Sequence, residues 1–297
     1  MMCMKTAMFN RTGATVSLTA LLWLLCTLTI PGPSQAAVYF DSNFETCDVG
    51  TGNDFPCDGW DDLGIEYNPA PLHNKIEVTN TLSLTGSKSV KTTFVATTTT
   101  VPGTSCALEN PSLYHNFTAS EHIFTRSAVR RSSDFVMSSN NITKLYRFRT
   151  NGGYPTVSVW MQGFQYIIGV EAGWTMGSAN YQGGGPVSTT EWDQVETEFK
   201  LNTPGLSDGL LRMWVNGVLK IEALNLQLRG PTPTSISSQG LRVSSTTQFD
   251  KAQIFVQCGL GNMWWDRVAV GNTRIGPTQP TTADSTPPAR PTLNLIP

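Results

Sequence analysis

The sequence predicts an all-β sandwich built from two antiparallel sheets. Short stretches that alternate apolar and polar residues recur between clusters of Gly, Pro, Asn, Asp and Ser. No long stretch has the i, i+3, i+4, i+7 apolar spacing of an amphipathic helix. Asn216-Gly217 separates two alternating stretches, which is typical of a type I′ hairpin, since both central residues need a positive φ. One large sandwich suits a chain of this length.

The alternating stretches predict about a dozen strands in chain order. The Thr-rich stretch from Thr97 to Ser105 is predicted to be a loop or a poor edge strand. The predicted strands are Val38–Phe40, Lys75–Val78, Ser89–Val95, His122–Arg130, Lys144–Thr150, Thr156–Gln162, Tyr166–Val170, Glu191–Leu201, Leu210–Val215, Val218–Ala223, Ala252–Val256 and Trp264–Val270.

The first 36 residues have the pattern of a secretory signal peptide. Lys5 and Arg11 precede an apolar run from Val16 to Ile30, and small residues follow it up to Ala37. A retained membrane anchor is the alternative, but it would need roughly 20 apolar residues. A lipoprotein signal at Cys26 is disfavoured because no small residue lies beside it. We therefore expect a secreted protein, or a periplasmic one in a bacterium, with no membrane span after cleavage.

The remainder of the chain divides by composition. Residues 37–276 carry all the predicted strands and form the expected sandwich domain. Residues 277–297 contain six prolines together with Thr and Ala and few groups that could pack. This composition is typical of a disordered or polyproline-like tail, and it could once have linked the domain to another module.

Charge and cysteine content restrict the class of protein further. The chain has 20 Lys and Arg against 22 Asp and Glu and no basic stripe, so nucleic acid is not an expected partner. Removal of the leader leaves four cysteines, and an even number in an exported chain favours two disulfides. Four cysteines can pair in three ways, and one of these joins Cys47 to Cys57 and Cys106 to Cys258.

Strand alternation also predicts a candidate glycan-binding surface. In Thr156–Gln162 the apolar residues Val157, Val159 and Met161 predict the core side, which turns Trp160 and Gln162 outward. Indole rings stack on sugars, and amide and guanidinium groups bind sugar hydroxyls or carboxylates. In Lys144–Thr150 the pattern does not decide which side faces the core. The predicted substrate-binding residues are Arg126, Arg130, Trp160, Gln162, Glu196, Arg212 and Trp214.

Three blocks carry a resemblance to a known superfamily. They are Trp192–Gly217, which ends in Trp-Val-Asn-Gly, then Trp264–Val270, and Phe40–Glu45 with Gly86–Val90. Together they resemble the concanavalin A-like lectin/glucanase superfamily, in particular its polysaccharide lyase-like and laminin-G-like members. The resemblance extends from about Val38 to Pro277 and implies a concanavalin A-like jelly roll. Sandwiches of this type often hold a structural calcium ion, for which Glu45 and Asp266 are the expected ligands.

This fold hosts several activities, so the function has to be argued from the site. A carbohydrate-binding domain without catalysis is the first hypothesis. The alternative is a polysaccharide lyase acting on an acidic uronate glycan. Such a lyase needs a group to neutralise the uronate carboxylate and a base for its C5 proton. The candidates for these roles are Arg126 or Arg130 for the first, and His122, Tyr146 or Tyr166 for the second.

Two further hypotheses are a glycosidase and a structural surface or adhesion protein. Glu191, Asp193 and Glu196 match the carboxylate spacing of laminarinase-like glycosidases, which place an acid/base pair on one strand face. Their motif lies one strand earlier than it does here, which disfavours this chemistry.

Overall fold

The computed structural model describes residues 37–51, 55–66, 74–94, 110–137, 142–257 and 259–278. Within these ranges the chain forms strands and turns without a helix. The strands are β1 (Val38–Ser42), β2 (Gly50–Thr51), β3 (Asp62–Glu66), β4 (Lys75–Thr79), β5 (Ser89–Phe94), β6 (Asn110–Ser120), β7 (His122–Arg131), β8 (Ile142–Thr150), β9 (Thr156–Gln162), β10 (Gln165–Gly173), β11 (Gly177–Tyr181), β12 (Asp193–Lys200), β13 (Gly209–Val215), β14 (Val218–Leu226), β15 (Ser235–Ile236), β16 (Arg242–Val243), β17 (Phe249–Gln257) and β18 (Gly261–Gly271).

The strands build two large antiparallel sheets. Sheet I has the order β14-β13-β12-β7-β18-β5-β4-β2, with β1 also paired to β18. Sheet II has the order β11-β10-β9-β8-β17-β6-β3, and β15 and β16 form a separate short hairpin. The two-sheet, all-antiparallel architecture confirms the predicted concanavalin A-like jelly roll. Among the described residues, no helix has the length and apolar character to span a membrane.

The core lies between the sheets and is rich in aromatic rings. Phe148 from sheet II packs against Phe199 from sheet I, with ring centroids 5.3 Å apart. Tyr146 of sheet II packs near Trp265 of sheet I at 6.3 Å. Rings at these separations have edge or offset contacts that favour packing beyond simple burial of apolar area. The interlocked rings hold the two sheets face to face.

The alternation predicted for three strands is confirmed. Val157, Val159 and Met161 of β9 lie in the core, as do alternate residues of β12 and β13. The predicted strand Glu191–Leu201 is shorter in the structure, where β12 spans Asp193–Lys200. The Asn216-Gly217 hairpin is also confirmed, because these residues have φ values of 52° and 77°.

The sequence predictions missed six strands: the long β6, the five-residue β3 and β11, and the two-residue β2, β15 and β16. Strand β6 begins with Asn110 and Pro111, residues that are depleted in strands. Its pairing with β17 and β3 on either side makes it a central strand in spite of that composition. Strand β11 is a polar edge strand beside β10 and lacks the apolar alternation that would reveal it.

One of the two predicted disulfides is confirmed. Cys47 and Cys57 are bonded, with Cα atoms 5.2 Å apart, and they close the loop that leads to Trp60. The Trp60 indole is buried, and its Nε1 donates to Ser42 Oγ at 3.0 Å. Cys106 and Cys258 lie outside the described residues. So do the predicted leader at residues 1–36, the stretch Thr97–Ser105 and most of the predicted tail.

Candidate functional site

The outer face of sheet II, which points away from the core, carries a row of polar and aromatic side chains. Strand register places Arg147 of β8 between Ser158 of β9 and Gln253 of β17. It also places Lys144 between Trp160 and Gln257. Because side chains of directly paired residues lie on the same side of a sheet, these groups form one continuous surface.

A β-bulge explains why alternation alone could not decide the faces of β8. Lys144 pairs with Trp160, whereas Tyr146 pairs with Val159, so Leu145 is an extra residue in this strand. The bulge lets Lys144 and Arg147 both point outward. Tyr146 and Phe148 point into the core, where they contact each other edge to face at 4.6 Å.

A cavity of about 350 Å³ opens on this face. The 237–241 turn closes one side of it through Gln239 and Leu241, and the β8–β9 hairpin contributes Tyr154. Its other lining residues include Lys144, Arg147, Glu171 and Phe255. The cavity therefore combines two cations, one carboxylate, a phenol and an aromatic ring, which is a suitable lining for a charged sugar.

Arg147 is the most firmly held cation of the cavity. Its side chain is almost fully buried, and its Nε donates to Gln253 Oε1 at 3.0 Å. The guanidinium carbon lies 4.1 Å from the centroid of the Phe255 ring. The Gln253 amide in turn donates to Ser112 Oγ at 3.4 Å. These contacts fix the guanidinium plane, and a fixed fork suits recognition of a carboxylate.

Lys144 forms an ion pair inside the same cavity. Its Nζ lies 2.6 Å from Glu171 Oε1, and the two side chains retain 22% and 25% exposure. Lys144 belongs to β8 and Glu171 to β10, so the pair crosses over β9. The ammonium also lies 5.3 Å from the centroid of the Trp160 ring, within cation–π range.

The Trp160 indole lies over Gly169 of β10, the residue that pairs with Ser158. A Cβ added at Gly169 would lie 2.5 Å from Cε2 of the indole. Trp160 is only 7% exposed, and its Nε1 has no hydrogen-bond partner among the described residues. The hydroxyl of Ser158, two residues earlier on the same face, is also buried and without a partner.

A second cavity, of about 610 Å³, lies at the β9–β10 turn end of the same face. Three amide side chains surround it, Gln162, Gln165 and Gln182, with Ile167 on the sheet beneath them. Its described lining carries no charged side chain. Uncharged amides over an apolar floor suit a neutral part of a sugar chain.

The structure does not bring the seven predicted binding residues together. Trp160 and Gln162 lie on the outer face of sheet II, as described above. The other five lie on β7, β12 and β13, with side chains on the outer face of sheet I at the opposite side of the sandwich. These five are Arg126, Arg130, Glu196, Arg212 and Trp214.

The five residues on sheet I are engaged by partners from within the chain. Arg126 Nη2 lies 3.0 Å from Asp41 Oδ1, and burial lowers the pKa of its guanidinium. Arg274 donates twice to Glu196 at 3.0 Å and lies 4.4 Å from the Trp214 ring centroid.

The remaining two arginines of this group are also bonded. Arg212 pairs with Glu198 at 3.0 Å and Glu222 at 2.7 Å, and Arg130 donates to the Thr189 carbonyl. The outer face of sheet I is therefore a network of internal ion pairs and hydrogen bonds, crossed by the chain segment that includes Arg274.

The four catalytic candidates are also separated. Tyr146 and Tyr166 point into the core, where they are almost completely buried, so neither phenol can meet a polysaccharide. Burial raises the pKa of both tyrosines, and the nearby Asp193 raises that of Tyr166 further. His122 lies on sheet I with its Nε2 2.8 Å from Glu198 Oε1, on the same outer face as Arg126.

The carboxylates expected for a glycosidase are not paired either. Asp193 points inward and accepts hydrogen bonds from the Tyr166 hydroxyl at 3.1 Å and the Ser188 N–H at 2.7 Å. Glu196 points to the outer face, where Arg274 holds it. An acid/base pair on one strand face is therefore not formed by these two residues.

The two residues expected to bind calcium both accept hydrogen bonds from the backbone of one loop, residues 84–88. Glu45 accepts hydrogen bonds from the N–H groups of Ser87 and Lys88. Asp266 accepts from the N–H groups of Leu84 and Thr85. Among the described residues, no group of three or more His, Cys, Asp or Glu side chains could hold a metal ion. Calcium binding stays a prediction.

The binding residues predicted from the sequence do not include those that line the cavity. Trp160, which was predicted, lies beside the cavity. Gln253 and Phe255 follow the alternation of β17, which therefore contained a usable signal. The alternation of β8 is interrupted by the bulge, so Lys144 and Arg147 could not be assigned together. Glu171 lies beyond the predicted end of its strand at Val170, because β10 extends to Gly173.

Comparison with known proteins identifies the fold. No protein-family model and no curated protein sequence matches the chain. Among solved structures, the chain is similar to an endo-β-1,4-glucuronan lyase from the fungus Trichoderma reesei, with a TM-score of 0.55 and 17% identity. That match covers 80% of this chain and 96% of the lyase.

Two further structures match with similar coverage. The cellulose-induced protein Cip1 has a TM-score of 0.51 and 15% identity, over 80% of this chain and 99% of Cip1. A variant of the alginate lyase Aly36B in complex with alginate trisaccharide has a TM-score of 0.52 and 9% identity. That match covers 79% of this chain and 98% of the lyase. The chain has the concanavalin A-like jelly-roll fold that these proteins share.

Proposed function

We propose that this chain is a secreted polysaccharide lyase that cleaves a uronate-containing glycan on the outer face of sheet II. The observation that carries the proposal is the cavity in which Lys144 and Arg147 converge beside Tyr154. The fold shared with a glucuronan lyase and an alginate lyase supports it. The Cys47–Cys57 disulfide supports export, because disulfides persist in oxidising compartments.

In the proposed reaction Arg147 and Lys144 bind the uronate carboxylate. Neutralising that charge makes the C5 proton more acidic, since the developing carbanion spreads onto the carboxylate. The phenolate form of Tyr154 takes the C5 proton, the C4–O4 bond breaks, and a C4–C5 double bond forms. The departing O4 oxygen takes back a proton from the Tyr154 hydroxyl, so no other reactant is needed.

Gln253 has a positioning role in this proposal. Its amide oxygen accepts from Arg147 Nε, which holds the guanidinium in its place in the cavity lining. Phe255 supports the guanidinium from one side at 4.1 Å. A rigid cation of this kind costs little reorganisation when the substrate binds.

The ultraviolet absorbance of the unsaturated uronate product tests the proposal. The protein is incubated with glucuronan, alginate and polygalacturonate, and with cellulose as a neutral control. We expect absorbance to rise with at least one of the three acidic glycans and not with cellulose. Tyr154→Phe should abolish the rise while leaving glycan binding unchanged, because only the proton-transferring hydroxyl is lost.

A binding domain without catalysis is the second candidate. The observation that favours it is the Lys144–Glu171 pair, which already neutralises one cation of the cavity. The described cavity lining also contains no histidine. Binding of an acidic glycan without any product absorbance, at high protein concentration, would support this candidate and contradict the lyase.

A further inference from the structure

The centre of the outer face of sheet II contains buried donors that have no acceptor within the part of the chain that the structure describes. Trp160 Nε1 is a donor only, and neither it nor Ser158 Oγ has a hydrogen-bond partner. Trp160 is 7% exposed and Ser158 is fully buried. Leaving a buried donor unpaired costs about 1–3 kcal/mol, so such groups usually mark a place where a ligand or water belongs.

The Lys144–Glu171 pair lies beside these two donors. The pair crosses β9, the strand that carries Ser158 and Trp160, and the Lys144 ammonium lies 5.3 Å from the indole centroid. Three donors, one ammonium, one hydroxyl and one indole N–H, therefore belong to a single patch. The Glu171 carboxylate contacts only the ammonium among these three, at 2.6 Å.

A uronate carboxylate has the chemistry that this patch lacks. It carries the same charge as Glu171 and offers two oxygens as acceptors, and the neighbouring ring hydroxyls of the sugar add others. The side chains of the Lys144–Glu171 pair are each about a quarter exposed, and partly exposed ion pairs are weak enough to be exchanged.

We propose that the Glu171 carboxylate occupies the position on Lys144 that a uronate carboxylate takes when glycan binds. The bound glycan displaces Glu171 and pairs with Lys144, Ser158 and Trp160. This inference rests on the proposed function, because it takes a uronate glycan as the ligand. Glu171 is then a specificity-determining residue. A neutral glycan has no anion to exchange for its carboxylate, so only an acidic chain can keep Lys144 paired.

The test is a titration of the full chain with size-defined glucuronate and mannuronate oligosaccharides. Tryptophan fluorescence gives Kd without any need for turnover. We expect Glu171→Gln to lower Kd for the acidic oligosaccharides about fivefold, the effect of losing a competing, partly exposed ion pair. Kd for a neutral cello-oligosaccharide should not change. Lys144→Met should raise Kd for the acidic chains.

A matched control comes from sheet I. Lys91 and Glu77 form a pair of 2.7 Å with side-chain exposures of 26% and 24%, close to those of the cavity pair. Glu77→Gln removes the same charge from the protein without touching the cavity. It should leave Kd unchanged, which separates displacement at the site from a general change in net charge. Trp160→Phe should remove most of the fluorescence response.

The outcomes separate the inference from the function on which it rests. An unchanged or higher Kd for Glu171→Gln, with wild-type protein that binds and cleaves uronate chains, overturns the inference alone. In that case Glu171 only positions Lys144. An equal gain in affinity for Glu77→Gln also overturns it. Failure of both wild type and Glu171→Gln to bind any acidic chain removes the proposed function and the inference together.

Discussion

Replacing Gly169 by alanine should disturb the outer face of sheet II at one defined contact. The new Cβ would lie 2.5 Å from Cε2 and 2.7 Å from Cδ2 of Trp160, whereas ordinary contacts begin at 3.4 Å. The indole would have to move by about 1 Å or β10 would have to bend. Overpacking of this size costs about 1–3 kcal/mol of folding free energy.

Urea unfolding of four proteins measures this cost and assigns its cause. The proteins are the wild type, Gly169→Ala, Trp160→Leu and the double variant. Leucine leaves room for the new methyl group, so the penalty of Gly169→Ala should fall by at least half in the Trp160→Leu background. Residues in contact give coupling energies of about 0.5–3 kcal/mol in such cycles.

The same penalty in both backgrounds would refute the reasoning. It would mean that the alanine acts on the backbone of β10 and not on the indole. The placement of the Trp160 indole over Gly169, and with it the arrangement of the unpartnered donors, would then have no support.

Three other perturbations have expected outcomes. Replacing Cys47 and Cys57 by serine opens a loop with a sequence separation of 10 and should lower the unfolding free energy by about 3 kcal/mol in urea titrations. Burial raises the pKa of Asp266 to about 6, so the folded state holds a proton that the unfolded state has lost between roughly pH 4 and 6. The free energy of unfolding should therefore fall by up to about 3 kcal/mol as pH rises through this window. Asp266→Asn should flatten the pH profile of the unfolding free energy. A variant profile as steep as that of the wild type would contradict this. Trp214→Ala should leave glycan cleavage at the wild-type rate, because its indole is on sheet I against Arg274; a large loss of rate in a folded variant would argue for a site there.

The sequence predicted the fold well because alternation is a local property. In β9, β12 and β13 the apolar positions alone decide which side is buried, and the structure places Val157, Phe199 and Met213 in the core as predicted. The Asn216-Gly217 turn was equally predictable, since few residues tolerate two successive positive φ values.

The site was less predictable because it depends on contacts between distant segments. Alternation correctly predicted that Arg126 and Glu196 point away from the core. It could not reveal that Asp41 pairs with Arg126 and that Arg274 pairs with Glu196. It also could not tell which of the two outer faces each strand contributes to. That depends on which strands pair, and strand order in the sheets does not follow strand order in the chain.

The bulge in β8 had a larger effect than any other local feature. One extra residue reverses the side on which every following side chain lies. Tyr146 therefore enters the core and Arg147 faces the cavity, where the sequence alone left the choice open. A bulge is a property of the pair of strands, so a single strand's sequence carries no clear sign of it.

The central claim is that acidic glycan is bound and cleaved on the outer face of sheet II and not on that of sheet I. The most direct test compares Arg147→Ala with Arg212→Ala, each first shown to be folded by its thermal unfolding curve. The rate of unsaturated product formation on an acidic glycan is then measured. Arg147→Ala should reduce it by about a hundredfold or more, and Arg212→Ala should leave it at the wild-type level. A large loss with Arg212→Ala and a normal rate with Arg147→Ala would contradict the account and move the site to sheet I.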